Sequence, residues 1–166
     1  MDPRRAARRE ARPLILAVDT DVLVSWMMAG APRHAAARRL LEGEIRGNGG
    51  SLALAPQVIH EFLHVATDPR RFANPLSMKD GLRLVRSLWG AAEVVRIFPA
   101  PGVLDRTLEL LGQLRLGRKR ILDTALAATL ELAGVRRLAT FNPDDFRPFA
   151  FLDLVDAPGS PDPEIL

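Results

Sequence analysis

The run LILAV, residues 14–18, contains no polar residue, and that constrains the fold more than anything else in the chain. A strand that alternates polar and apolar side chains keeps one wet face, whereas a strand without alternation must be covered on both. Four further strand candidates follow: SLALA (51–55), EVVRIF (93–98), RRLATF (136–141) and FLDLVD (151–156). Helical patterns separate them. Thr20 to Met28 reads as helical or turn-like, APRHAAARRLLEGEIR (31–46) as an amphipathic helix with Pro32 near its start, and PQVIHEFLHVAT (56–67) as a helix opening on Pro56. Loop-like DPRRFANP precedes a helix running from Ser77, an N-cap candidate, to Trp89. PGVLDRTLELLGQLRL (101–116) and ILDTALAATLELAG (121–134) are two more helices, the second ended by Gly134, and NPDDFRPF (142–149) is a turn with a short helix.

Strands separated by helices require crossover connections, so the expected fold is α/β: a three-layer α/β/α sandwich around a mostly parallel sheet. In such sheets sites form beyond the carboxyl ends of the strands. One domain is expected over 14–156, between a basic N-terminal tail, 1–13, with five Arg, and a Pro-rich C-terminal tail, 157–166. Hydrophobic residues make up 48% of the 166, enough for one core. No run is long and apolar enough for a membrane span or a signal peptide, so a soluble, cytoplasmic protein is expected. Cysteine is absent, which removes disulfides, thiolate metal sites and cysteine nucleophiles together. The net charge of +3 leans toward an acidic partner such as nucleic acid without selecting one.

The acids that stand beside apolar runs are the informative ones. Asp19 and Asp21 end the first strand, Glu61 lies in VIHEFLHV, Asp123 in RILDTALAAT, and Asp144 and Asp145 follow the fourth strand after Asn142. Taken singly, Asp19 or Asp123 fits an N-cap, Glu61 fits an ion pair with an Arg, and Asp145 fits a cap on the short helix. Taken together, carboxylates converging from several elements are explained by a divalent cation between them, since a buried carboxylate without a partner is costly. Mg²⁺ and Mn²⁺ take hard oxygen ligands and keep several waters, which suits a few carboxylates plus a substrate phosphate. Phosphodiester hydrolysis is the reaction this implies. His60, Glu61 and His64 also spell H-E-x-x-H, the spacing of zinc proteases, but no histidine follows them in the chain.

In these residues the chain resembles the PIN-domain family, and within it the VapC-type toxins of bacterial toxin and antitoxin pairs. AVDTDVLV is similar to the family's first motif, with Asp19 in the acidic position, and HEFLHVATDPRRF to the second, with Glu61 as its acid. RILDTALAATLELAGV resembles the third, with Asp123 as its acid, and LATFNPDDF the terminal pattern, with Thr140 as a hydroxyl donor. The resemblance implies a Mg²⁺- or Mn²⁺-dependent endoribonuclease, often a homodimer, inhibited by a cognate antitoxin protein. Asp19, Glu61 and Asp123 would be both catalytic residues and metal ligands. Two positions depart from the pattern. Asp21 stands where the family usually has Asn, and Asn142 where many members have a fourth Asp, a loss that Asp145 would offset.

Two other functions remain open. In a phosphohydrolase of the haloacid dehalogenase type, Asp19 would be a covalent nucleophile and Asp21 a general acid, which leaves Glu61 without a role. A catalytically weak module would bind RNA or an antitoxin without cutting. For an RNA substrate the candidate phosphate contacts are Arg70, Arg71, Arg118, Lys119 and Arg120.

Overall fold

The computed structural model describes residues 14–156, so the two expected tails lie outside the described residues. Five strands form one sheet in the order β3-β2-β1-β4-β5: β1 (Ile15–Val18), β2 (Ser51–Leu54), β3 (Val94–Arg96), β4 (Arg137–Thr140) and β5 (Asp153–Asp156). Every neighbouring pair is parallel, with Leu16 opposite Leu52 and Val18 opposite Ala139. The all-apolar run is therefore the central strand. Leu16, Ala17 and Val18 are buried, as a strand covered on both faces requires.

Seven α-helices connect the strands among the described residues. α1 (Thr20–Met27) and α2 (His34–Glu42) lead from β1 to β2, and α3 (Pro56–Ala66) and α4 (Met78–Trp89) from β2 to β3. α5 (Val103–Gln113) and α6 (Ile121–Leu132) carry the chain from β3 back past β2 and β1 to β4, and α7 (Pro143–Phe146) leads to β5. Because such crossovers are right-handed, the reversal of direction puts α1–α4 on one face and α5–α6 on the other. The strand order reverses between β1 and β4, and that switch point is where a parallel sheet opens a crevice. Phe62 of α3, Phe146 of α7 and Phe149 are among the largest fully buried side chains, each contributing roughly 1.5–3 kcal/mol.

Local signals set most boundaries. Ser77 caps α4, its hydroxyl accepting from the Asp80 amide at 3.1 Å. α6 ends at Gly134, whose φ of +72° is left-handed, with the Val135 amide returning to the Leu130 carbonyl at 2.9 Å. The second helix is shorter than its pattern. It starts at His34 because Arg33 has a non-helical backbone (φ −102°, ψ 16°), and after Glu42 it widens into a π-helical turn, Gly43–Gly47. Two glycines weaken the regular helix there. The widened turn carries Glu44, which makes a two-pronged ion pair with Arg137 at 2.9 and 3.1 Å.

Candidate active site

At the carboxyl end of the sheet lies a cleft of about 940 Å³, lined by residues of α1, α3, α6 and α7 and the turn before α6. Asp19 stands at its base, immediately after β1, and is only 7% exposed. Both carboxylate oxygens are engaged. Oδ1 accepts from the Val22 amide at 2.9 Å, which makes Asp19 the N-cap of α1, and Oδ2 accepts from the Thr140 hydroxyl at 2.5 Å. Capping and site placement are thus two tasks of one side chain. Burial, joined by repulsion from Asp21 and Asp123, raises the Asp19 pKa to about 7, against the lowering effect of its hydrogen bonds from Thr140 and Val22.

Glu61 enters from α3, which packs Val58, Ile59, Phe62 and Ala66 inward and leaves Glu61 exposed to the cleft. Its Oε2 accepts from the Thr20 hydroxyl at 2.6 Å, linking α3 to the start of α1. Asp123, in the first turn of α6, is partly buried, and that burial raises its pKa, with Arg120 pulling it down and Glu61 pushing it up. It does not cap α6; the N-cap position is Arg120, without a side-chain cap bond. Asp145 lies inside α7, where it pairs with Arg120 rather than capping the helix. Asp21 lies 3.4 Å from both Arg33 Nη1 and Asn142 Nδ2. The Asn142 amide donates to Thr140 Oγ1 at 3.0 Å.

The sequence-identified cations divide. Arg118 and Lys119 line the cleft, and Arg120 reaches Asp123 and Asp145 behind it. Arg70 and Arg71 do not line it. They occupy the turn after α3, where Arg70 grips Asp68 with two nitrogens at 3.0 Å and holds its carboxyl down at about 2. Sequence reasoning missed Thr20 and Arg33. Thr20 had a signal in its place beside Asp19 at the strand end, whereas Arg33 had none, because its approach to Asp21 depends on how α2 crosses α1.

His60 and His64 also line the cleft, but among the described residues no three acidic or imidazole side chains are gathered into a cage for an ion. The donor set nevertheless suits a hard, partly hydrated cation: Asp19, Asp21, Glu61, Asp123 and Asp145 all line one cleft, and burial first, with repulsion among the acids added to it, raises Asp19 and Asp123. The dehalogenase-type reading fares worse. It gives no role to Glu61, which lines the same cleft as Asp19 and is tied by Thr20 to the start of α1.

A five-stranded parallel sheet with acidic side chains at its switch point defines a class of α/β folds with a carboxylate-lined cleft. A PIN domain family model matches residues 16–152, and the chain belongs to that family. It is 27% identical over 137 residues to Ribonuclease VapC24 of Mycobacterium tuberculosis, in strains CDC 1551 / Oshkosh and H37Rv, covering 82% of this chain and 92% of the relative. Among solved structures it resembles VapBC-1 from nontypeable Haemophilus influenzae (TM-score 0.60, 16% identity, 88% of this chain and 100% of that one). VapBC2 from Rickettsia felis, bound to a promoter DNA fragment, gives a TM-score of 0.59 at 14% identity, covering 86% and 98%. VapC20 of Mycobacterium tuberculosis, a toxin that cleaves the sarcin-ricin loop, gives 0.53 at 17% identity, covering 74% and 86%. These structural likenesses concern the fold.

Proposed function

We propose that this chain is a Mg²⁺- or Mn²⁺-dependent endoribonuclease acting in the cytoplasm as the toxin of a type II toxin-antitoxin pair. The observation that carries this reading is the meeting of Asp19, Glu61 and Asp123, from three separate elements, in one cleft at the switch point of the sheet. The VapC relative named as a ribonuclease supports the activity, and the VapBC neighbours support an antitoxin as partner. No helix among the described residues is long and apolar enough to cross a membrane. Exposed Leu104, Leu108 and Leu122, on α5 and α6, support a homodimer that would cover them.

Asp19, Glu61 and Asp123 would hold the ion, with Asp145 and Asn142 beside it. A bound divalent cation acidifies water and stabilises charge on phosphoryl oxygens. The protein's own groups do the rest. The Thr140 hydroxyl and the Val22 amide fix the orientation of the Asp19 carboxylate. Thr20 fixes Glu61 through Oε2, and Oε1 has no hydrogen bond among the described residues, which leaves it able to take a proton from attacking water. Arg118 and Lys119 meet phosphates of the RNA strand and offset the negative field of the acids.

The test is incubation of purified protein with total RNA in Mg²⁺, Mn²⁺ or EDTA, beside Asp123→Asn. Cleavage that needs the metal and is lost in the variant is expected. RNA bound but left intact under every condition would favour the binding module instead.

A further inference from the structure

One cation beside the acidic cleft is held by acids that line it. Arg120 ends the short turn Arg118–Arg120 before α6, and its Nη1 contacts Asp145 Oδ1 on α7 while standing 3.7 Å from Asp123 Oδ2 on α6. All three side chains are about one-third exposed, at 32%, 31% and 33%, so the cluster is open enough to rearrange. Arg118 and Lys119 line the same cleft with no ion pair among the described residues, so Arg120 alone of the three is committed to the acids. A guanidinium does not lose its proton, and this positive charge is therefore present at every working pH.

We propose that Arg120 is an internal counter-ion which a divalent cation must displace from Asp123, so that Arg120 sets the concentration of metal at which the cleft fills. The inference rests on the metal-dependent reading above. The guanidinium stands against Asp123 Oδ2, so an ion taking that oxygen displaces it, and an ion on Oδ1 meets the repulsion of a cation across the same carboxylate. Arg120 keeps its contact with Asp145 when it yields Asp123, so displacement is a small swing of one side chain. A purely structural Arg120, there only to orient Asp123, has the opposite consequence: its loss would weaken metal binding.

The test is titration of Mn²⁺ into the metal-stripped full chain by calorimetry, for wild type, Arg120→Gln, Arg120→Lys, Arg118→Gln and Asp123→Asn, each checked in EDTA for an intact melting transition. Arg120→Gln is expected to bind Mn²⁺ about tenfold more tightly, Arg120→Lys about as wild type, and Arg118→Gln within about threefold, because its charge is screened and unpaired. Unchanged or weaker binding in Arg120→Gln overturns the proposal. So does equal tightening in Arg118→Gln, which would reduce the effect to net charge. If Asp123→Asn binds as wild type does, or if no protein binds Mn²⁺, the metal-site reading itself fails and takes this inference with it.

Discussion

Thr140 Oγ1 donates to Asp19 Oδ2 at 2.5 Å, a buried bond that ties the end of β4 to the end of β1 across 121 residues. It holds the deepest acid of the cleft where the sheet reverses direction, and it favours the ionised carboxylate. Thr140→Val removes the donor while keeping the shape. The Asp19 pKa should then rise further, moving the acid limb of a cleavage-rate profile to higher pH, while Thr140→Ser keeps the wild-type limb. Urea unfolding at pH 8 should show a loss of about 1.5–3 kcal/mol in Thr140→Val, the usual worth of a hydrogen bond to a charged group.

The burial of Asp19 has a price in stability that depends on pH. Its folded pKa of about 7 lies above the ordinary 3.8, so the folded state binds the proton more tightly than the unfolded one. The stability linked to that proton is fully present below pH 4 and is lost as pH rises to about 7. The loss has an upper limit of about 4 kcal/mol. Asp19→Asn, which keeps a capping oxygen for Val22, should therefore melt higher than wild type at pH 8 in EDTA, with the gap closing at pH 4. It should also lose cleavage. Saturating Mg²⁺ should raise the wild-type melting temperature and leave that of Asp19→Asn nearly unmoved, since only a site that binds the ion is stabilised by it.

Phosphate contacts can be separated by position. Arg118 and Lys119 line the cleft, whereas Arg70 is held by Asp68 in the turn after α3. In salt titrations of RNA binding, Arg118→Gln with Lys119→Gln should flatten the slope of log affinity against log salt by about 1.4, at about 0.7 per single-strand phosphate. Arg70→Gln should leave the slope unchanged. An equal change in both would place the RNA path over the α3–α4 turn as well.

Apolar patterning made the strands and most helices legible, and with them the positions of Asp19 and Asp123 at element ends facing the crevice. Ser77 and Gly134 marked helix ends because capping is a local chemistry. The π-helical turn at Gly43–Gly47 was not legible, for it depends on how closely three backbones meet. Glu61 shows a similar limit: the pattern of α3 gave its buried face, but only the packed structure gives the Thr20 bond across 41 residues. The same limit explains Arg120, which counted as one of three adjacent basic residues in the sequence and becomes the partner of two acids once α6 and α7 are packed.

That close meeting of backbones can be probed at Gly50. A Cβ there would stand 2.7 Å from the Leu14 carbonyl oxygen and 2.8 Å from that of Glu44, and backbone atoms leading into β1 and in a helical turn cannot step aside cheaply. Gly50→Ala should destabilise the fold by about 1–3 kcal/mol in urea unfolding, the ordinary cost of overpacking. Gly47→Ala, where a Cβ meets nothing within 4 Å, serves as the control and should be near neutral.

Asp21 separates the nuclease reading from the phosphohydrolase reading. A dehalogenase-type enzyme would use it as general acid, so Asp21→Asn would cost it roughly 10²–10⁴ in rate. In the arrangement observed, Asp21 instead stands 45% exposed at the rim, shared between Arg33 and Asn142 at 3.4 Å. An amide at position 21 can still accept from either partner through its oxygen, and it removes one of the charges that raise the Asp19 pKa. Asp21→Asn should therefore keep RNA cleavage within about threefold of wild type, the scale of one exposed charge pair, and its acid limb should move slightly to lower pH. Loss of all activity in Asp21→Asn, with an unchanged circular dichroism spectrum and a small phosphate ester as the better substrate of the wild type, would reverse the assignment.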